Sequence, residues 1–351
     1  MKNIAKILFV AISSLSLMLS AKAGELSVSG SAKATYNAVS GAQKDNGIGI
    51  TNELNFTASG ELDNGYTWSY SMELDPSTAG TADSTTVAPS GSAINDDTQI
   101  SLGMGDLGTI KVCVSECGNN KKYAWDQSAY TAMSDTGFSE GITYPADMGS
   151  YASIQYHTPE LPFGTTASIA HGNQKKDGQS GNSTATSGDS ATEYSIVTKP
   201  VDGLTLSASY MDKNNYGNGT DDAGDQAEEN GAYAISYAAG NVTVGYGKSF
   251  KADESTAITA GGTTAEYYEN TGISLAYAIN DQVSVSYTEE TAEKNMQTSS
   301  TTTYDIEMQS VQVAYSLGGA TLSLARADYE NVAHVNNEDA TETIIALAFA
   351  F

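Results

Sequence analysis

Apolar and polar residues alternate along most of this chain, with the two-residue period that a β-strand imposes on its two faces. In Tyr66–Leu74 the large apolar residues occupy the even positions, and Thr, Ser and Glu occupy the odd ones. In Thr341–Phe351 the large apolar side chains Ile345, Leu347 and Phe349 again share one parity. The pattern predicts strands with one apolar and one polar face.

Sixteen segments follow this pattern, and the connections between them are of two kinds. Connections after even-numbered segments are a few residues long, whereas those after odd-numbered segments are longer. All six prolines fall in connections, where a missing backbone N–H costs no ladder hydrogen bond. The predicted strands are Glu25–Ala38, Ile48–Leu62, Tyr66–Leu74, Gln99–Met104, Thr109–Val114, Ser150–His157, Gly164–His171, Thr192–Lys199, Leu204–Met211, Ala232–Ala238, Val242–Phe250, Glu266–Ile279, Val283–Thr288, Tyr304–Leu317, Ala320–Tyr329 and Thr341–Phe351. The predicted long loops are 39–47, 75–98, 115–149, 172–191, 212–231, 251–265, 289–303 and 330–340.

The apolar final segment favours a membrane barrel over a soluble sheet. In water, an apolar strand at the chain end would leave a sticky, unpaired edge. Pairing of Thr341–Phe351 with Glu25–Ala38 would remove both edges, and lipid would cover the face of Ile345, Leu347 and Phe349. Alternating short turns and long loops are typical of bacterial outer-membrane barrels, and about sixteen strands leave room for an aqueous lumen. The sequence therefore predicts an all-β fold, a 16-stranded antiparallel transmembrane β-barrel.

The N-terminus has the layout of a secretory signal peptide. Two lysines in the first six residues precede the apolar stretch Ile7–Leu19, and Ala21–Ala23 fits a small-x-small cleavage site. The apolar stretch is shorter than the ~20 residues that a spanning helix needs. We therefore expect a signal peptide at 1–23 and the barrel at 24–351.

The charge of the chain excludes one class of partner and suggests another. The formal net charge is −26, and Arg326 is the only arginine, so we expect no binding to nucleic acid. Excess negative charge attracts cations and repels anions. Arg326 shares the parity of Leu322 and Leu324, so we expect it to face lipid unless its side chain reaches the bilayer surface or a β-bulge intervenes.

Cys113 and Cys117 are the only cysteines. Beyond the inner membrane the compartment is oxidising, so a small disulfide loop between them is plausible. A metal site fits poorly, because the two thiols have no nearby His or Cys partners. We expect neither a metal nor a cofactor.

Other functions fit the residues less well. The acidic cluster Asp221–Glu229 does not match the spacing of an EF-hand and is better explained as solvated surface. His157, His171 and His334 accompany no nucleophile elbow or metal-spaced pair, so we predict no enzyme activity. A secreted β-rich adhesin or surface protein is a further alternative, but it would lack the alternation of short and long connections.

One predicted strand departs from simple alternation. In Tyr304–Leu317, Ile306 and Met308 are apolar at even positions, whereas Val311 and the later apolar residues are at odd ones. A β-bulge near Gln309–Ser310 would restore a single apolar face.

A signal peptide, sixteen alternating segments, a very long third loop and a terminal aromatic residue together resemble the Gram-negative general porins. The loop sequence SDTGFSEGITYPADMG, Ser134–Gly149, is similar to that of porins from marine and photosynthetic alphaproteobacteria. The resemblance implies an outer-membrane diffusion channel for small hydrophilic solutes and ions, with a substrate-selective channel as the alternative. One departure is that the family's usual cluster of wall arginines has no counterpart here.

The resemblance also implies partners. It implies a homotrimer of barrels in outer-membrane lipid, beside lipopolysaccharide, with no cofactor. Phe351, with Phe349 and Leu347 before it, resembles the signal by which the barrel-assembly machinery recognises such proteins.

The third long loop, 115–149, is the main candidate for function, because loops of this length are usually functional or disordered. The family resemblance implies that it folds inward, and we predict that it narrows the lumen and sets size and charge selectivity. An ordinary exposed loop is the alternative. Its predicted constriction residues are Glu116, Lys121, Lys122, Asp126, Asp135, Glu140 and Asp147. Its aromatic residues, which could anchor it to a wall, are Tyr123, Trp125, Tyr130, Phe138 and Tyr144.

Charged residues on the polar faces of the strands would line the lumen. Rings of charged side chains in a narrow pore select by charge, and acidic residues are in excess here, so we predict a mild cation preference. The predicted wall residues are Lys33, Glu53, Glu61, Glu73, Lys111 and Glu193.

Overall fold

The computed structural model is a closed barrel of sixteen antiparallel strands, each hydrogen-bonded to its neighbours in chain order. The predicted fold class is confirmed. The structure describes residues 24–41, 46–74, 96–114, 118–129, 140–146, 148, 151–174, 190–214, 228–253, 265–298 and 302–351. The strands are β1 Glu25–Gly41, β2 Asn46–Glu61, β3 Thr67–Leu74, β4 Asp96–Gly103, β5 Thr109–Val114, β6 Tyr151–His157, β7 Thr166–Gln174, β8 Ser190–Thr198, β9 Leu204–Asn214, β10 Glu228–Ala239, β11 Val242–Ala252, β12 Ala265–Ala278, β13 Val283–Met296, β14 Ile306–Ser316, β15 Ala320–Glu330 and β16 Ala340–Ala350.

Each strand has an outer apolar face and an inner face. In β16, Ile345 and Phe349 are each 46% exposed, whereas Ile344 and Ala346, on either side of Ile345, are buried. A continuous exposed apolar surface of this kind is stable when lipid covers it. Ile345 and Phe349 therefore mark the lipid-facing side, with the parity that the sequence predicts.

Short turns join the strands at one end of the barrel. The turn between β2 and β3 is typical: Gly65 adopts a left-handed backbone conformation (φ 82°), which glycine tolerates without strain. Asn64 supports this turn, since its Oδ1 accepts a hydrogen bond from the backbone N–H of Tyr66 at 3.1 Å. The longer connections lie at the other end, as the predicted alternation requires, except between β1 and β2. There the predicted loop 39–47 is wrong, because both strands extend into it and leave only residues 42–45 between them. In outer-membrane barrels the short turns face the periplasm.

The last strand pairs with the first. β16 runs antiparallel to β1, with Ala350 opposite Ser31 and Ala340 opposite Gly41. The chain end continues this ladder, because the backbone N–H groups of Gly30 and Phe351 each donate to the carbonyl of the other, at 2.7 and 3.0 Å. The closure removes both free edges of the sheet.

The bulge predicted near Gln309–Ser310 is absent, and that prediction is wrong. β14 pairs with β13 in continuous register, with Gln309 opposite Glu289. The reason is that the barrel interior is apolar at this point: Ile306 and Met308 face inward and are buried in a cluster with Ile142 of the third long loop. The later apolar residues of β14 face lipid, so the two apolar sets belong to opposite faces of one regular strand.

β13 is also longer than predicted. It extends to Met296, whereas the sequence pattern ended the strand at Thr288. The added residues, Glu289 to Met296, are mostly polar, but they pair in register with β12. A ladder that extends beyond the bilayer needs no apolar face, so hydrophobic alternation does not detect it.

Arg326 extends from the outer face of β15, is exposed, and pairs with Asp328 at 3.0 Å between Nη2 and Oδ1. Among the described residues, no helix is long and apolar enough to cross a membrane.

Cys113 is fully buried on β5 and is disulfide-bonded. Cys117 lies outside the described residues, so its pairing with Cys113 stays a prediction.

Candidate functional site

The connection between β5 and β6 is the third of the long loops, and its described parts contact the inner wall of the barrel. We call residues 118–129 the near limb and residues 140–146 the far limb. The wall side chains that they contact lie on the face opposite the lipid-facing residues. Ser274 of β12, for example, is buried under the near limb, whereas the adjacent Ile273 is 53% exposed on the outside.

The near limb is held by its own backbone. The N–H of Lys121 donates to Ser209 Oγ of β9 at 2.9 Å, and the N–H of Ala129 donates to Ser286 Oγ of β13 at 2.7 Å. Between them, Ser274 Oγ accepts from one backbone N–H of the limb at 2.9 Å and donates to the carbonyl of Trp125 at 2.7 Å. These serines are buried, and buried backbone groups require such partners. Three wall hydroxyls thus fix the path of the limb across β9–β13.

The near limb begins at a second polar contact. The N–H of Asn119 donates to Glu193 Oε2 of β8 at 2.7 Å, and its side-chain amide donates to Gln155 Oε1 of β6 at 3.2 Å. Further along, Asp126 accepts from the N–H of Ser128 at 2.9 Å. The limb therefore crosses the wall from β6 to β13.

The far limb is held by its own side chains and by two of its backbone carbonyls. Tyr144 donates its hydroxyl proton to Glu290 Oε2 of β13 at 2.8 Å, and Asn270 Nδ2 of β12 donates to the carbonyl of Thr143 at 2.9 Å. Ile142 is buried in the apolar cluster beneath the limb. At its start, the carbonyl of Glu140 accepts from the N–H of Ala333, in the loop between β15 and β16, at 2.9 Å.

The two limbs are tied to each other. Lys122 Nζ donates to the carbonyl of Pro145 at 3.0 Å, and Asn120 Nδ2 donates to the carbonyl of Ala146 at 2.8 Å. The rings of Tyr123 and Tyr144 meet edge to face with centroids 5.0 Å apart. The loop therefore forms one folded layer on the wall.

Burial shifts the ionisation of the loop side chains. Burial raises the pKa of Glu140 to about 6, because the charged carboxylate is poorly solvated there. Burial likewise raises the pKa of Asp126, against hydrogen bonds from Ser128 and Thr288, and it lowers the pKa of Lys121, against the attraction of Glu193. For Tyr144, burial and then the charge of Glu290 raise the pKa well above its ordinary value.

The structure describes four of the seven predicted constriction residues. Lys121 and Lys122 lie in the near limb, half-buried. Asp126 turns toward the wall, where Thr288 Oγ1 donates to it at 3.4 Å. Glu140 is 3% exposed, so its carboxyl group has almost no contact with the open lumen. The remaining three predicted constriction residues, Glu116, Asp135 and Asp147, lie outside the described residues.

The predicted wall residues occupy inward-facing register positions. Lys33 of β1 and Glu53 of β2 lie on the side opposite Val28 and Ile50, which are outward and more than half exposed. Lys111 lies on the inner face of β5, opposite Gln155. The other predicted wall residues on inner register positions are Glu61, Glu73 and Glu193.

Of the predicted anchors, Trp125 and Tyr144 contact the wall, Tyr123 packs on Tyr144, and Tyr130 and Phe138 lie outside the described residues. In the acidic cluster Asp221–Glu229, residues 221–227 also lie outside them, and Glu228 pairs with Lys213 on the inner wall at 2.5 Å. Among the described residues, no group of three or more His, Cys, Asp or Glu is arranged to hold a metal ion.

Sequence reasoning did not identify the buried acidic wall residues on which the far limb packs. Glu290 and Glu342 are buried on the inner wall, 3% and 1% exposed, and Tyr329 lies between them at 2%. Glu140, at the start of the far limb, lies near the same Tyr329 hydroxyl. No local pattern marks Glu290, because the residues that follow Thr288 are mostly polar on both faces of the strand.

Comparison with known families agrees with this architecture. The family model described as Gram-negative porin matches residues 9–351. The chain belongs to the Gram-negative porin family. As a porin it forms a diffusion channel in the bacterial outer membrane. A search of curated protein sequences found no match.

Solved porin structures share the barrel at low sequence identity. OmpF of Salmonella typhi, solved in complex with daunomycin, is 15% identical with a TM-score of 0.69, covering 94% of this chain and 98% of that one. An anion-selective porin from Comamonas acidovorans is 13% identical with a TM-score of 0.63, covering 93% and 100%. A further porin, whose structure was refined at 1.8 Å, is 16% identical with a TM-score of 0.62, covering 93% and 100%. At these identities the likeness concerns the fold.

Proposed function

We propose that the loop between β5 and β6 narrows this outer-membrane channel and sets its size limit and a mild preference for cations. The observation that carries the proposal is the series of hydrogen bonds that holds both limbs of the loop on the inner wall. A chain segment held inside a lumen reduces the cross-section open to solutes. Small hydrophilic solutes and ions would pass down their gradients, without a cofactor.

Reconstitution in a planar bilayer tests the constriction. The wild-type protein should give discrete conductance steps, and deletion of residues 120–140 should enlarge them, because the deletion removes most of the near limb. An unchanged conductance after deletion, in protein that still shows heat-modifiable gel migration, would falsify the proposed constriction.

The cation preference follows from charge. The chain carries 42 Asp and Glu against 16 Lys and Arg, and a negative lumen raises the local concentration of cations. A reversal potential measured in a salt gradient should therefore have the sign of a cation-preferring channel. Anion preference in that measurement would contradict the proposal. A substrate-selective channel is the second candidate, and it would show conductance block by one solute class at concentrations where others have no effect.

The outer wall divides into two arcs that suggest different neighbours. Among the described side chains, β1–β8 place no Asp, Glu, Lys or Arg on the outer face, whereas β9–β15 place a band of them at the long-loop end. The outward charged residues of this band are Asp212, Glu229, Lys248, Glu269, Glu289, Glu293, Glu307, Arg326, Asp328 and Glu330. Charged side chains at the bilayer surface suit the polar headgroup region, and an uncharged wall suits another protein surface.

We therefore propose a homotrimer that associates through the uncharged arc, with the charged arc beside lipopolysaccharide. Ile50, on the uncharged arc, is 56% exposed, and Val311, on the charged arc, is 62% exposed. Ile50→Glu should convert the trimer to monomers on native gels, whereas Val311→Glu should leave the trimer intact. Equal effects of the two substitutions would contradict this assignment.

The end of the chain is the proposed contact with the barrel-assembly machinery. Phe351 is 68% exposed on the outer side of β16, and Phe349 is 46% exposed. A terminal aromatic side chain on the outer face is accessible to a receptor before the barrel closes. Phe351→Ala should lower the yield of assembled barrel in cells without lowering the stability of the barrel refolded in detergent.

A further inference from the structure

Trp125, in the near limb, lies against a part of the inner wall that has no side chains. The Trp125 side chain is 4% exposed. The wall beneath it is formed by Gly245 and Gly247 of β11 and Gly272 of β12, which we call the glycine notch. A Cβ atom at Gly272 would lie 2.3 Å from Trp125 Cζ2, and a Cβ atom at Gly247 would lie 2.7 Å from Trp125 Cβ. At Gly245 an added Cβ would lie 1.8 Å from the carbonyl oxygen of Trp125.

Backbone conformation does not explain these glycines. None of the three has a positive φ, so any residue could adopt their backbone conformation. Gly247 and Gly272 are directly paired across β11 and β12, which leaves a two-strand gap in the side-chain layer of the wall. Glycine within a strand weakens it, by about 0.5–1 kcal/mol relative to Ala, and typically marks a close approach by another group. Here that group is Trp125.

Packing and hydrogen bonds fix the near limb in a single position against the wall at this point. The ring fills the glycine notch, and Ser274, next to the notch, holds the backbone that follows the ring through two hydrogen bonds, with the Trp125 carbonyl and the Gln127 N–H. Packed protein interiors do not absorb an added methyl group without displacement of the neighbouring atoms. Any side-chain atom added in the notch would therefore move the near limb away from the wall and into the lumen.

We infer that Trp125 and the glycine notch set the distance between the near limb and the wall, and thereby the width of the aqueous path. The inference rests on the proposed role of the loop as the constriction. Trp125 acts here as a positioning residue: it fixes where the limb lies, and other side chains of the limb border the path. The depth of the notch determines how much of the lumen the limb occupies.

A double-mutant cycle with single-channel conductance as readout tests the inference. Gly272→Ala alone should lower the conductance and the solute size limit, because the methyl group displaces the ring toward the lumen. In the Trp125→Ala background the same Gly272→Ala change should have no effect, because the space above Gly272 is then empty. The matched control is Gly47→Ala in β2, where an added Cβ meets nothing within 4 Å, and it should leave conductance unchanged.

Fluorescence gives a second readout that does not depend on ion flow. The chain has two tryptophans, so Trp68→Phe leaves Trp125 as the single emitter. Gly272→Ala in that background should shift the emission to longer wavelength and increase quenching by acrylamide, as the ring leaves the notch. Heat-modifiable migration establishes that each variant is a folded barrel.

The outcomes separate the inference from the proposed function. Two results would show that the notch does not set the width of the aqueous path. One is that Gly272→Ala leaves both conductance and emission unchanged. The other is that Gly272→Ala lowers conductance equally in the wild-type and Trp125→Ala backgrounds. If deletion of residues 120–140 leaves the conductance unchanged, the loop is not the constriction and the proposed function itself fails. Should Gly272→Ala fail to fold, Trp125→Ala alone remains decisive: it should increase open-channel current noise, and noise equal to that of the wild type would overturn the inference.

Discussion

The two limbs of the loop between β5 and β6 are held on the same wall by different chemistry. The near limb donates backbone N–H groups to Ser209, Ser274 and Ser286. The far limb depends on particular side chains, chiefly the Tyr144 hydroxyl on buried Glu290. Backbone donors are present whatever the loop sequence is, whereas a phenol–carboxylate pair is lost with one substitution. The near limb should therefore tolerate changes in its polar side chains, and the far limb should be sensitive to sequence and to pH.

The largest expected effect is at Gly141, where the far limb meets the last long loop. Gly141 has φ +88°, and an added Cβ would lie 2.7 Å from Ala333 Cα. Gly141→Ala should release the far limb, since left-handed strain of about 1–2 kcal/mol adds to a backbone clash. Faster proteolysis within 140–146 would show the release. Gly65→Ala is the matched control: Gly65 has φ +82° but open space around it, so the strain is similar and the loop should stay seated.

Tyr144→Phe should have the next largest effect. It removes the donor to Glu290 Oε2 and leaves a buried acceptor without its partner, which costs about 1–3 kcal/mol. The variant should show a lower temperature for the heat-modifiable gel transition and more current noise. Tyr277→Phe, at an exposed position on the outer face, should change neither. Equal behaviour of the two variants would remove the distinction between the limbs.

A change of pH should act on the far limb through Glu140. Burial raises the pKa of Glu140 to about 6, from an ordinary value of 4.5. Because its pKa is raised, Glu140 keeps its proton to a higher pH when the far limb is packed on the wall than when the limb is released. The resulting stabilisation of the packed limb is complete below pH 4.5 and is lost as the pH rises through 6.

Hydrogen exchange of residues 140–146 should therefore be slower at pH 4.5 than at pH 7, after correction for the intrinsic rate. Glu140→Gln should flatten this difference. Asp126 in the near limb also has a raised pKa, so the comparison is between wild type and Glu140→Gln at each pH. A pH dependence that survives Glu140→Gln would assign the effect to other groups.

Ser274→Ala should have the smallest effect on conductance. It leaves one backbone N–H and the Trp125 carbonyl without their wall partner, which costs about 1–3 kcal/mol for each buried group, but Ser209 and Ser286 still hold the limb in place. Conductance should keep its mean value, with a modest rise in current noise. Ser69→Ala, a pore-wall serine that contacts Ser101 away from the loop, is the control. A large fall in conductance would mean that the hydroxyls are not redundant.

Alternation was sufficient to predict the barrel, because lipid on one side imposes a period of two on every strand. It failed where the inner face is also apolar, as at Ile306 and Met308, since a pattern of apolar residues cannot say which face each set occupies. It also failed beyond Thr288, where strand pairing continues in polar residues. The anchoring role of Trp125 and Tyr144 followed from their aromatic character. Their wall partners, Gly272 and Glu290, are almost 150 positions away in sequence, and no local signal links them.

The pairing of β1 with β16 also has a kinetic consequence. The contact between Asn37 and Glu342 joins residues 305 positions apart, so the sheet is completed by the first and last parts of the chain to be synthesised. Contacts of such high sequence separation form slowly, because the entropy of a very large loop is lost before any pairing is gained. Until then the chain carries two unsatisfied edges that can pair with other chains. The same ladder that makes the finished barrel edgeless therefore makes its unfinished form prone to aggregation.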